Sequence, residues 1–379
     1  ANSQLPTMIP ESPDSPAQVW NMNLSDQTQR RALGFIFLAL LVASILYGTT
    51  YQQFRHYDLT DPRGIADIHG YLEMAHGNFG VDPPHRYRPI VPWLASAVST
   101  IIDPPAGART SADALSFYIV NFLFIVAGAL FLFYFLIKVT DSVFLSFLGL
   151  VFFLSSRHTI IAGATPIIDS FYLCSIAAFA WLVVTRRVVL LALSLPLMAW
   201  SKETMVPLLF LPLLARDFRR WEFGLGLAAA LVGLWALRLF IGEIYGAQIE
   251  HYEATAYVGD VTTSIGQSRT SGFFQIIEVA WNGLNALWPD IITLRWWHSF
   301  QNGFALVLPL AAAGLFIYFR RKESNILLPI IMLIPVALVY QLVNQAGGRM
   351  LFTGFPAIIA FALIAVREIM QRVSYRTHA

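Results

Sequence analysis

Apolar runs of about 18–20 residues, long enough to cross a bilayer, alternate with short polar and charged clusters along most of the chain. The runs are Ala32–Tyr51, Ala112–Ile137, Val143–Ala162, Pro166–Thr185, Phe223–Ile241, Gly303–Phe319, Ile326–Val343 and Leu351–Val366. Two shorter ones, Val188–Trp200 and Met205–Ala215, are separated by Ser201-Lys202-Glu203-Thr204. The pattern predicts an all-α integral membrane protein with about ten transmembrane helices. A polar arm (1–30) and a basic tail (367–379) flank the polytopic region, 31–366.

Lys and Arg at segment ends set the orientation. Placing the N-terminus inside puts Arg30, Arg31, Lys138, Arg186, Arg187, Arg216, Arg219, Arg220, Arg320, Arg321, Lys322, Arg367, Arg372 and Arg376 on the cytoplasmic side, with both termini there. Two long polar stretches then lie outside, a first outer loop at 52–111 and a second at 242–302. The first contains the apolar piece Pro89–Ile102, which reads as re-entrant or interfacial. Cations at outer segment ends, among them Arg86, Arg88, Lys202 and Arg349, run against the topological preference and suggest an anion site.

Of the 379 residues, 56% are hydrophobic and 13% charged, about half the charge of a soluble domain. That excludes a water-soluble enzyme, a secreted disulfide scaffold and a disordered regulator. A net charge of +2 gives no ground for a nucleic-acid partner. The single cysteine, Cys174, lies in an apolar run and reads as a small buried hydrophobe.

Candidate chemistry concentrates in the first outer loop. Ile65, Ile68, Leu72 and Ala75 share one helix face. They predict an amphipathic helix on the membrane surface, capped by Asp61 with Pro62 as its first residue. Asp67 would sit near its start, facing the cavity of the bundle. His69, Glu73 and His76 recur at i, i+4 and i+7 and are candidate metal ligands. In His85-Arg86-Tyr87-Arg88-Pro89, two guanidiniums precede an apolar half-helix, a chemistry suited to phosphate oxygens. Asp169 lies inside the outer mouth of the fourth segment, with Arg157 and His158 as candidate partners. Lys202-Glu203 must face protein or water, and a salt bridge within a tight hairpin is one account of it.

At these residues the chain resembles the polytopic glycosyltransferases of the GT-C superfamily, the group that includes protein mannosyltransferases and aminoarabinose transferases. The resemblance rests on Asp67-x-x-x-Tyr71-Leu72-x-Met74-Ala75, on His85-Arg86-Tyr87-Arg88-Pro89, on Asp169-Ser170 with Ser201-Lys202-Glu203-Thr204, and on Gly348-Arg349. It implies transfer of a sugar from a polyprenyl-phosphate donor to an acceptor at the extracytoplasmic face of a bacterial inner membrane. A loop carboxylate acts as general base: Asp67, with Asp58 and Asp61 as rivals. Arg86, Arg88, Lys202 and Arg349 would meet the lipid phosphate. Asp169, Glu203, Tyr71 and His85 would orient the acceptor, the two carboxylates alternatively helping to bind a divalent ion such as Mg or Mn, which some members require. Two other classes stand beside this one: a non-catalytic accessory subunit of a larger membrane complex, making protein contacts through the N-terminal arm, and a transporter of lipid-linked substrates.

Overall fold

The computed structural model describes residues 16–56, 67–81, 85–102, 112–256, 304, 307–321, 327–344 and 350–377. Every regular element among them is helical: α1 (Pro16–His56), α2 (Asp67–Ala75), α3 (Ile90–Ser99), α4 (Ala112–Thr140), α5 (Val143–Ser155), α6 (Arg157–Ala164), α7 (Asp169–Val184), α8 (Val188–Ala199), α9 (Met205–Leu208), α10 (Trp221–Ala256), α11 (Val307–Arg321), α12 (Leu328–Ile331), α13 (Leu333–Asn344) and α14 (Phe355–Thr377). Tighter 3₁₀ turns occupy His85–Tyr87, Leu211–Leu214, Arg216–Phe218 and Met350–Gly354.

Among the described residues, four helices are long and apolar enough to cross a membrane: Thr28–Arg55, Ala112–Thr140, Trp221–Ile249 and Phe352–Ser374. A fifth span results if α5 and α6, bent by 60° at their junction, are taken together. This is a membrane protein, with fewer full-length spans than the ten expected. The difference has local causes. Ser156 ends α5 and caps α6, its hydroxyl accepting from Thr159 N. Pro207 and Pro212 lie in the broken stretch Met205–Leu214 and lack the N–H a continuous helix needs there. Pro196 lies inside α8, and the ninth run breaks at Met332 between α12 and α13.

α7 is the central element, with Ser170–Val183 almost entirely buried. It packs on α4, and other close pairs are α8 with α10 and α11 with α14. Glycine sets two of these crossings. A Cβ on Gly314 of α11 would fall 1.7 Å from the Phe361 carbonyl oxygen of α14, and one on Gly226 of α10 would fall 2.5 Å from the Ala192 oxygen of α8. Neither pair of helices can approach so closely with a larger residue. Elsewhere large apolar side chains face outward, as at Phe37, Leu193, Val232, Trp235 and Phe316, which suits contact with lipid.

Two expectations are corrected here. The described part of the amphipathic helix is Asp67–Ala75, and the proposed cap Asp61 with Pro62 lies outside the described residues. Its buried face, Ile68, Tyr71 and Met74, meets protein rather than lipid. It packs with Val91 and Ala95 of α3, Phe117 and Val120 of α4, Phe171 of α7, and Leu237 and Ile241 of α10. The seventh segment does not end at Ile241. α10 runs 36 residues to Ala256, about 54 Å and well beyond the ~30 Å of a hydrocarbon core.

Candidate functional site

The second apolar core forms a floor joining α2, α3, α4, α7 and α10. Around it the ends of several helices bring together polar residues distant in sequence. α7 begins at Asp169 directly after an extended turn at Thr165. That turn is held from α4: Asn121, fully buried, donates from Nδ2 to the Thr165 carbonyl at 2.8 Å and accepts from Ser170 Oγ at 2.5 Å. Asp169 thus enters α7 in its first turn, where the helix dipole favours a carboxylate.

Its partner is Lys202, whose Nζ lies 3.1 Å from Asp169 Oδ1. Lys202 is 6% exposed and also lies over the Tyr172 ring, 5.4 Å from its centroid. The partners expected for Asp169 were Arg157 and His158; Arg157 is exposed after the α5–α6 bend, and Lys202, which was not among them, pairs with Asp169. Lys202 and Glu203 do not close a hairpin on each other either. The break between α8 and α9 sends Lys202 to α7 and Glu203 to the loop before α3. There Arg88 grips Glu203 with two parallel bonds, Nε to Oε2 at 2.8 Å and Nη2 to Oε1, while Nη1 donates to the Tyr71 hydroxyl at 3.0 Å.

Burial works against the charge on Arg88, but Tyr71 and Glu203 more than restore it and hold its pKa above the ordinary arginine value. Burial also pushes the Glu203 carboxyl up, and the Arg88 guanidinium overrides this, leaving it below the usual carboxylate range. Burial pushes the Tyr71 hydroxyl well up, so it stays neutral. Around neutral pH the ion pair is formed and Tyr71 keeps its proton.

Asp67, the first residue of α2, completes the cluster. Its Oδ1 lies 3.6 Å from His85 Nε2, and both side chains keep some exposure, 27% and 20%. His85 meets Tyr71 edge-on, with centroids 5.4 Å apart. Beneath, the Tyr172 hydroxyl lies 3.1 Å from Thr353 Oγ1 and the Tyr340 hydroxyl donates to the Thr204 carbonyl at 2.6 Å. Asp67, Tyr71, His85, Arg88, Asp169, Lys202 and Glu203 are thereby gathered in one place.

Other candidates fall elsewhere. Arg86 is fully buried, and its Nε donates to the Val81 carbonyl at 2.9 Å, so it anchors the loop from within. Asp58, Asp61 and Arg349 lie outside the described residues. His69, Glu73 and His76 share an exposed face of α2 but hold separate contacts: Glu73 accepts from Asn78 and His76 pairs with Asp113. Among the described residues no group of three His, Cys, Asp or Glu can hold a metal ion. Asp169 and Glu203 are each engaged by a cation, so the donor set does not fit a divalent metal. The parts played by Asn121, Thr353 and Tyr340 were not anticipated from the sequence. The one available signal was Asn121, a polar amide in the apolar run Ala112–Ile137.

No protein-family model, characterised protein or solved structure matches this chain.

Proposed function

We propose that the protein is an inverting membrane glycosyltransferase of GT-C type. It takes its sugar from a polyprenyl-phosphate donor at the extracytoplasmic face of a bacterial inner membrane, with both termini cytoplasmic. The short and bent helices then count as segments of a roughly ten-segment bundle. The observation that carries the reading is the convergence of a partly exposed carboxylate, Asp67, with a buried cationic layer of Arg88 and Lys202.

In this reaction the acceptor oxygen bonds to the anomeric carbon while the bond from that carbon to the phosphate oxygen breaks. The acceptor proton passes to Asp67, with His85 orienting the carboxylate. The electron pair of the broken bond goes to the departing phosphate, whose growing charge is stabilised by fixed cations in a water-poor setting. Three N–H groups of Arg88 are committed to Glu203 and Tyr71, and guanidinium has five. It can therefore donate to phosphate without releasing its partners.

The test is mass spectrometry of lipids retained by the gently purified protein, followed by a transfer assay with the lipid identified. A co-purifying polyprenyl phosphate or its sugar conjugate is expected, and Asp67→Asn should abolish transfer while the protein still folds. Undiminished turnover by that variant rejects the base assignment, and no retained polyprenyl lipid rejects the donor. A second reading has its own support: the cations are already paired with carboxylates, as in a structural clasp of an accessory subunit. Stoichiometric protein partners without such a lipid would favour it.

A further inference from the structure

At the end of the bundle opposite this cluster the charges are arranged differently. α8 and α10 pack side by side and run in the same direction, with Gly226 against Ala192 near their starts. Their N-termini therefore open at the same level. No side chain caps the start of α8, and the dipoles of both helices place partial positive charge there. Two loops deliver arginines to this spot: Arg186 and Arg187 just before α8, and Arg216, Arg219 and Arg220 just before α10.

The two loops are joined by one ion pair, Arg186 Nε to Asp217 Oδ2 at 3.1 Å. Arg186 holds this place at φ 55°, a conformation a non-glycine residue adopts at a cost. Arg187 lies 5.9 Å above the Trp181 ring, and Arg219 Nε donates to the Leu213 carbonyl. Among the described residues no carboxylate pairs with Arg187, Arg216, Arg219 or Arg220. The remaining nearby acid, Glu222, turns one carboxylate oxygen into the protein. Other arginines are paired with carboxylates: Arg88 with Glu203, and both Arg321 and Arg372 with Glu368. The exposed faces directly below are apolar: Val189 and Leu193 on α8, Trp221 and Leu225 on α10.

We infer that the paired N-termini of α8 and α10 form a binding site for the phosphate headgroup of an anionic phospholipid, with Arg187, Arg216 and Arg220 as its ligands and its acyl chains along the exposed faces of the two helices. Arginine forks and helix N-termini both favour phosphate oxygens. An apolar wall below separates a lipid from free phosphate. The excess of unpaired arginines favours a headgroup with two phosphates over one. The site is independent of glycosyl transfer, and its readout is lipid retention.

The full chain, stripped of lipid in detergent, is offered phosphatidylcholine, phosphatidylglycerol or diphosphatidylglycerol, and native mass spectrometry counts the bound molecules. The anionic lipids should be retained at least about tenfold more than the zwitterionic one, diphosphatidylglycerol most, and the triple variant R187Q/R216Q/R220Q should lose on the order of a hundredfold. R320Q, at another basic helix end, should retain lipid like the parent. Equal retention of phosphatidylcholine, an unchanged triple variant, or equal loss in R320Q overturns the site. So does full displacement by inorganic phosphate at millimolar concentration. Should the glutamine variant fail to fold, R187K/R216K/R220K keeps every charge and loses only the fork. It should bind more weakly than the parent, and unchanged retention again overturns the inference.

Discussion

The Lys202–Asp169 pair offers the most discriminating perturbation. Lys202 is 6% exposed and Asp169 15%, with 3.1 Å between charged atoms. Removing either partner takes from the other, a largely buried charge, the opposite charge 3.1 Å away, a loss that costs about 3–5 kcal/mol. Lys202→Met and Asp169→Leu should each fall near the low end, because Asp169 keeps some contact with water. Removing both charges replaces the pair by apolar side chains of similar size, which is neutral or stabilising as often as not. The double variant should therefore lie within about 1 kcal/mol of the parent, with the single losses overshooting it by at least about 2 kcal/mol. Denaturant unfolding in detergent, followed by tryptophan fluorescence, measures all four proteins. Single losses that simply add would refute the claim that the two charges hold each other. The same double variant separates structure from chemistry. Restored stability with lost transfer keeps the pair in the reaction, whereas a stable and fully active double variant leaves it only a structural clasp.

Other perturbations follow from the same geometry. The Glu203 carboxyl is held below its ordinary value of 4.5, so its stabilisation is fully present above that value and is lost as pH falls through the lowered one. Melting temperature should drop in that acid window, and Glu203→Gln should flatten the drop relative to the parent. Gly314→Ala forces a Cβ into the Phe361 carbonyl and should destabilise by at least about 1–3 kcal/mol. Gly242→Ala meets nothing within 4 Å and should stabilise by up to about 1 kcal/mol; thermal melts that fail to separate the two would contradict the packing. Asn121→Ala removes the bond to the Thr165 carbonyl and leaves Ser170 Oγ without its acceptor. It should cost about 1–3 kcal/mol by chemical denaturation.

Hydropathy alone located nearly every helix, because burying or exposing to lipid an apolar run of twenty residues leaves few alternatives to a helix. It marked the break at Ser201–Thr204 but not the breaks inside single runs. The run Val143–Ala162 reads as continuous, yet Ser156 caps a new helix in the middle of it and bends the pair by 60°. The polar residues of the cluster were visible singly, since a charge in an apolar run stands out. Their partners were not. Lys202 and Glu203 are neighbours of opposite charge, and sequence proximity suggested that they pair with each other. The turn between α8 and α9 instead points them at α7 and at the loop before α3. Asn121 stands out as an amide in an apolar run, but its role does not: it holds a backbone carbonyl brought near only by the packing of α4 on α7.

The broken helices and the polar cluster are one feature. Within a bilayer an interrupted backbone is tolerated only where protein or water satisfies its freed groups. Several interruptions in this bundle carry a cluster residue. Asp67 and Asp169 open α2 and α7, Arg88 lies between a 3₁₀ turn and α3, and Lys202 and Glu203 separate α8 from α9. The 16-residue α7 and the 12-residue α8 each have one end at this polar layer. α4, the long helix packed against α7, supplies Asn121 to the turn before Asp169 but no charge to the cluster. A single continuous helix can offer ionisable groups only along one face. Several helix ends meeting around an apolar floor can present carboxylates, a guanidinium and an ammonium to the same small volume from different directions. Among the described residues, the interrupted helices are thus what allow the cluster to exist.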